Sequence, residues 1–256
     1  MKVLFIGDVV GRSGRHRLCE YLGDVIKRES VAFTIAQGEN CAGGIGITER
    51  TASEIFDAGV DCVTTGNHVW KHRDIYSYLS KESRILRPAN YPEGVPGHGS
   101  YVFSVQDRKI AVINLQGRVY MQCIENPFTM GQTIVEHVQK ETPNIFIDFH
   151  AEATSEKRAL AFHLGGKVTG LIGTHTHVPT ADEQIMDGYT AYITDVGMVG
   201  SMDSVIGEGK EEVVDHFLLS LPQKFRVVKH DVVAQGVIVD FDETTGAARS
   251  IKRITF

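Results

Sequence analysis

Hydrophobic positions along the chain follow two alternating rhythms, short solid runs and longer stripes. Solid apolar runs closed by Gly, Asn or Asp read as buried strands, and i, i+3, i+4 stripes read as amphipathic helices. The first run is KVLFIGD at 2–8. The spacing then predicts a helix over 13–29, with Leu18, Tyr21, Leu22, Val25 and Ile26 on one stripe. A strand within VAFTIAQGEN (31–40) comes next, then a helix from Thr48 to Ala58. Thr48 is placed to accept from the first turn, and Gly59 to end the last one. DCVTTGNH (61–68) is the third strand. GSYVFSVQDRKIAVINLQG (99–117) reads as a hairpin turning at Asp107–Arg108. NIFIDFHAE (144–152) and VTGLIGTHTH (168–177) are strands with a helix between them, and YTAYITDVG (189–197) is another. The C-terminal stretch 225–256 reads as strands around a turn at Thr245–Gly246. Residues 82–98 hold three of the seven prolines and read as a long surface loop beside the site.

Early strand–helix alternation predicts parallel βαβ units, and the later strands predict antiparallel additions. Two mixed sheets between helices, in a single domain over 1–256, fit this pattern. A length of 256 residues is enough for one sizeable core. No apolar run reaches the 18 residues of a membrane span. The N-terminus runs straight into Asp8 and Gly11 and reads as a core strand, not a secretion signal. Four scattered cysteines form no C-x-x-C pair, so reduced thiols and a cytoplasmic location are expected. A net charge of −6 argues against a dedicated nucleic-acid surface while leaving room for a small phosphorylated substrate. Self-association is left open.

Function in open α/β sheets gathers beyond the carboxyl ends of the strands. Asp8 follows the first run, Glu39 and Asn40 the second, Asn67 and His68 the third. His150 ends the fourth, and His175 and His177 follow the fifth. Each alone has a bland reading: Asp8 as a turn residue, Gly-Glu-Asn and Gly-Asn-His as tight loops, His150 as a core histidine. Their joint recurrence at one edge points to a site. At i and i+2 of an extended segment, His175 and His177 would share one face. The remaining seven histidines read as ordinary, Lys157 as surface, and Glu152 and Glu156 as helix N-terminal acids. Cys41 reads as a buried small hydrophobe.

Carboxylates, amides and imidazoles without thiolates suit iron, manganese or zinc. The donors outnumber what one ion takes. Two ions about 3.5–4 Å apart, activating a shared water, form the usual clamp for phosphoester cleavage. His68 is in excess of the ligands and is placed to protonate a leaving alkoxide.

At these residues the chain resembles the calcineurin-like metallophosphoesterases. GDVVG, GENCAGG, GNHVW, DFHAE and GTHTH stand in the order of that superfamily's motifs across nearly the whole length. Val10 stands where a histidine ligand is usual, Glu39 where an aspartate bridges, and Val69 where an acid follows the histidine. These departures, with DFHAEATSEKRAL and DVGMVG, resemble the YmdB-like bacterial phosphodiesterases. The resemblance implies a four-layer α/β/β/α sandwich with two mixed β-sheets. It also implies two divalent or trivalent metal ions per chain, iron foremost with manganese or zinc as alternatives. The implied substrate is a small phosphodiester, 2′,3′-cyclic nucleotides among them. By position, Asp8, Glu39, Asn40 and His177 would hold the first ion. Glu39, Asn67, His150 and His175 would hold the second, with Glu39 bridging, Asn40 in place of the missing histidine, and His68 as general acid. Two competing expectations stand beside it. A hydrolase of C–N or ester bonds is disfavoured because HTHVPT lacks the H-x-H-x-D-H pattern and the H-x-H comes late. A regulatory protein with a slow or vestigial site, acting through partner contacts, is the main alternative.

Overall fold

Buried apolar runs become central strands wherever both faces are covered, and the computed structural model, which describes residues 1–256, bears this out. In chain order the elements are β1 (Lys2–Ile6), β2 (Asp8–Val9), α1 (Gly11–Glu29), β3 (Phe33–Gln37), α2 (Glu49–Asp57) and β4 (Cys62–Thr64). Then come α3 (Ile75–Leu79), β5 (Ile85–Leu86), β6 (Ser100–Val105), β7 (Arg108–Gln116), α4 (Pro127–Val138), β8 (Ile145–His150) and α5 (Thr154–Leu164). The last are β9 (Gly170–Thr174), β10 (Gln184–Met186), β11 (Thr190–Ile193), β12 (Met198–Ser201), α6 (Lys210–Leu219), β13 (Val232–Phe241) and β14 (Ala248–Thr255).

One sheet runs β2-β12-β13-β1-β3-β4-β5, with β14 on β13. Its β1, β3, β4 and β5 are mutually parallel, and β13 inserts antiparallel beside β1. The second sheet runs β10-β11-β9-β8-β7-β6, parallel in its four central strands. Phe5, Ile35, Val112, Phe146, Ile172 and Val237 fill the space between the two sheets. Leu18, Leu22 and Ile55 of α1 and α2 pack on Leu4 and Ile6 outside the first sheet. Val135, Leu160 and Leu164 of α4 and α5 pack on Ile113 and Ile147 outside the second. This is the α/β/β/α sandwich. Each fully buried Leu, Ile or Phe contributes roughly 1.5–3 kcal/mol, so the three apolar layers hold the strand ends in place.

Thr48 caps α2 as expected: it accepts from the Thr51 amide, and Thr51 Oγ1 accepts from the Thr48 amide at 3.0 Å. The 82–98 loop is corrected. Ile85 and Leu86 are fully buried as edge strand β5, and Asn90 is buried too. Asn114 Nδ2, from the second sheet, donates to the Leu86 and Thr65 carbonyls of the first at 2.8 and 2.7 Å. The hairpin turn falls one residue earlier than predicted, at Gln106–Asp107 between paired Val105 and Arg108. Gln106 takes φ +55°, supplying the left-handed residue a tight hairpin needs without a glycine.

Candidate metal centre

The carboxyl ends of β1, β3 and β4 in one sheet meet those of β8 and β9 in the other. The five strand ends are therefore split between two sheet edges that face each other, not lined along one. Asp8, Glu39, Asn40 and His150 are all buried there, while His68 and His175 are partly open.

Glu39 is the hub. Its Oε1 lies 3.1 Å from His150 Nε2 and 3.2 Å from His68 Nδ1. Its Oε2 accepts from the His68 amide at 2.9 Å. Asn67 Oδ1 approaches His150 Nε2 at 3.2 Å, and His175 Nδ1 approaches the same atom at 3.0 Å. Glu39, His150 and His175 thus offer three donor atoms within 4.8 Å of one another. On the other side, His177 Nε2 lies 3.5 Å from Asp8 Oδ1 and 3.1 Å from Asn40 Nδ2.

The H-x-H pair does not lie on an extended segment. β9 ends at Thr174, and His175 and His177 take φ +102° and +63°. Non-glycine residues rarely adopt such angles, and surrounding bonds must hold them. The His175 amide donates to Asp8 Oδ2 at 3.2 Å, and the Thr176 amide to Asp195 Oδ2 at 3.0 Å. The kink sends the imidazoles apart, His175 toward His150 and His177 toward Asp8.

A ligating histidine needs its other ring nitrogen engaged so that one lone pair faces the metal. His177 Nδ1 donates to the Ile206 carbonyl at 2.8 Å, leaving Nε2 for the site. His175 Nε2 lies 3.2 Å from Glu152, leaving Nδ1. Thr174 gives its one hydroxyl proton to Asp148 at 2.7 Å. His150 Nδ1 is engaged by Thr174 Oγ1 at 2.9 Å and by Gln37 Nε2 at 3.0 Å, so Nε2 is the ring nitrogen turned to the site. Glu152, at the mouth of α5, was read from sequence as a helix-dipole acid; it orients His175 instead.

Asp8 Oδ1 and Glu39 Oε1 are buried and make no hydrogen bond. Two orphaned carboxylate oxygens among inward-turned imidazoles fit cations. Burial opposes ionisation of Glu39, yet His150 and His68 outweigh it and hold the carboxyl well below its usual range. Asp8 is likewise lowered against its burial, chiefly by His177. Burial, aided by His150, pushes His175 down to about 3, whereas Asp8 overcomes the burial of His177 and lifts it to about 9. Gly66 lets the β4 loop pass under the cluster, since a Cβ there would collide with the His150 ring and with Glu39. Asn40 Oδ1 accepts from His68 Nδ1 at 2.8 Å. In this arrangement Asn40 orients His68, and binding an ion through its oxygen requires the amide to turn over.

Lys157 is not a surface residue. It is fully buried, and its Nζ lies 2.8 Å from Asp195, also fully buried. Cys41 is buried as expected, and burial raises its thiol to about 12. A cleft of about 680 Å³ between α1 and α2 contains none of the predicted site residues. A cavity of about 550 Å³ opens directly onto Glu39, Asn40, His68, His175 and His177. No helix is long and apolar enough to cross a membrane.

Comparison with known proteins identifies the family. A 2′,3′-cyclic-nucleotide 2′-phosphodiesterase of Bacillus subtilis (strain 168) is 42% identical over 254 residues, covering 99% of this chain and 96% of the relative. The crystal structure of a novel phosphatase from Mycoplasma pneumoniae superposes with a TM-score of 0.94 at 32% identity, over 100% of this chain and 93% of that one. A hypothetical protein from Thermus thermophilus gives 0.93 at 36%, over 100% and 99%. The family model for YmdB-like proteins matches residues 4–254. That match takes in every strand end that feeds the cluster, and the chain belongs to the YmdB-like family of phosphoesterases.

Proposed function

We propose that the whole chain works as one cytoplasmic unit, a dinuclear metal-dependent phosphodiesterase that opens small phosphodiesters, 2′,3′-cyclic nucleotides among them. The observation that carries this reading is the divergence of the two H-x-H imidazoles, His177 toward Asp8 and His175 toward His150 in the group that contains Glu39, with one oxygen of each carboxylate lacking a hydrogen bond. Asp8, Glu39, Asn40 and His177 would hold one ion. Glu39, Asn67, His150 and His175 would hold the other, with Glu39 shared. The donor set suits iron foremost, with manganese or zinc as alternatives. When bound, the ions supply positive charge against the phosphoryl oxygens and lower the pKa of water. Everything else falls to the chain. Ile206, Glu152 and Thr174 fix the three imidazole orientations. His68, which lines the same cavity, would give a proton to the departing ribose oxygen. The complete donor set with its outer hydrogen bonds supports a working site over a vestigial one.

The test is a substrate panel on iron- and manganese-loaded protein: cyclic nucleotides, linear dinucleotides, phosphomonoesters and amides. Chelator-sensitive cleavage of the diesters, with monoesters slower and amides untouched, is the expected result. Monoesters cleaved faster than diesters, or turnover indifferent to chelator, would contradict the reading.

A further inference from the structure

The cavity over the cluster is lined by two chemically different sets of residues. One is the polar set just described. The other comes from the segment after β12, through Ile206, Val213, His216, Phe217 and Phe225. These residues belong to none of the three apolar cores. Phe217 is 78% exposed and Phe225 42% exposed. Single exposed apolar residues are ordinary, but these share one concave space with the reacting groups. They also contact one another. His216 sits 5.8 Å from Phe217 and 5.7 Å from Phe225 between ring centroids, edge-on to Phe225 at 85°. His216 Nδ1 is fixed by the Leu221 carbonyl at 2.9 Å. The wall is tied to the centre as well, since Ile206 is the residue whose carbonyl holds His177.

A volume of about 550 Å³ lies in the range of ligand pockets and exceeds what a phosphate group alone would fill. A cyclic nucleotide carries its phosphate on one side of the ribose and an aromatic base on the other. With the phosphate at Asp8 and Glu39, the base falls toward the aromatic set. We propose that Phe217 and Phe225 form a stacking shelf for the nucleobase, so that the enzyme selects nucleotides over baseless phosphodiesters. The inference rests on the phosphodiesterase reading above. Stacking on a ring face accepts any base, so the shelf distinguishes base from no base more than one base from another.

The test compares full-length, metal-loaded wild type with Phe217→Ala and Phe217→Trp, on 2′,3′-cyclic AMP and on methyl p-nitrophenyl phosphate. Loss of one stacking contact corresponds to a KM increase of roughly 5- to 150-fold on the nucleotide. Its kcat should hold, because uniform binding is what is lost. Phe217→Trp should retain the wild-type KM, and the baseless diester should show no change in any variant. Phe225→Ala, off the helix, serves as the second variant should Phe217→Ala fail to fold. Equal losses on both substrates, or an unchanged nucleotide KM, would overturn the shelf. So would a fall in solution mass accompanying loss on both substrates, which would assign this face to a second copy of the chain. If wild type cleaves the baseless diester but no cyclic nucleotide, the nucleotide reading itself falls and takes the shelf with it. If wild type cleaves both and Phe217→Ala matches it, only the shelf falls.

Discussion

His68 sits at the rim of the cluster with 27% of its side chain exposed, its Nδ1 between Asn40 and Glu39, and it lines the cavity. In the proposed mechanism a group so placed contributes a proton without holding a metal. His68→Ala should therefore retain normal metal content while losing about 10²–10⁴-fold in rate on cyclic nucleotides. The loss should be small on p-nitrophenyl diesters, whose leaving group departs without protonation. Metal loss in that variant, by elemental analysis, would make His68 a ligand. An equal loss on both substrates would remove it from the acid role. The eight candidate residues that meet at the cluster were legible because each is a polar, ligand-type residue following an apolar run. Glu152 was not, because an acid ahead of a helix has a sufficient local explanation and its contact with His175 spans two strand ends. Phe217, Phe225 and His216 gave no signal either: aromatic residues near a helix end do not announce which cavity they line.

At the scale of elements, the kinked H-x-H turn depends on support from outside itself. Asp195, just after β11, accepts from the Thr176 amide and from Gly197, and is neutralised by Lys157 of α5. Lys157→Met would leave a buried carboxylate unpaired, at a cost of about 3–5 kcal/mol. Denaturant titration should show that loss, and the folded variant should hold metal less tightly because Thr176 loses a firm partner. A stability within error of wild type would mean that the pair is not what steadies the turn. Strands with solid apolar runs and the well-spaced α1 and α2 were readable from local pattern. Short β2, β5, β10 and β12, and helices α3, α4 and α6, were not. β5 shows only two buried residues among prolines, and α6 buries Val213 alone, so neither displays a periodic face. The surface reading of Lys157 failed for the same reason, since its partner lies 38 positions away and only the sandwich brings them together.

At the scale of the whole molecule, function comes from setting two sheets so that the ends of three strands meet the ends of two others. The sequence predicts the strands and the residues that follow them. It does not encode that β13 inserts beside β1, or that β8 and β9 open a second sheet, because those pairings join segments far apart in the chain. The facing edges are what place Glu39 within reach of donors from both sheets. The central claim is that this meeting point holds two ions sharing one carboxylate. The direct measurement is metal content per folded chain, by elemental analysis without chelator, for wild type and for Glu39→Gln. Two ions per active wild-type chain are expected, with loss of most of both in Glu39→Gln and its circular dichroism unchanged. One ion or none in active wild type, or a Glu39→Gln protein that retains both, would contradict that claim.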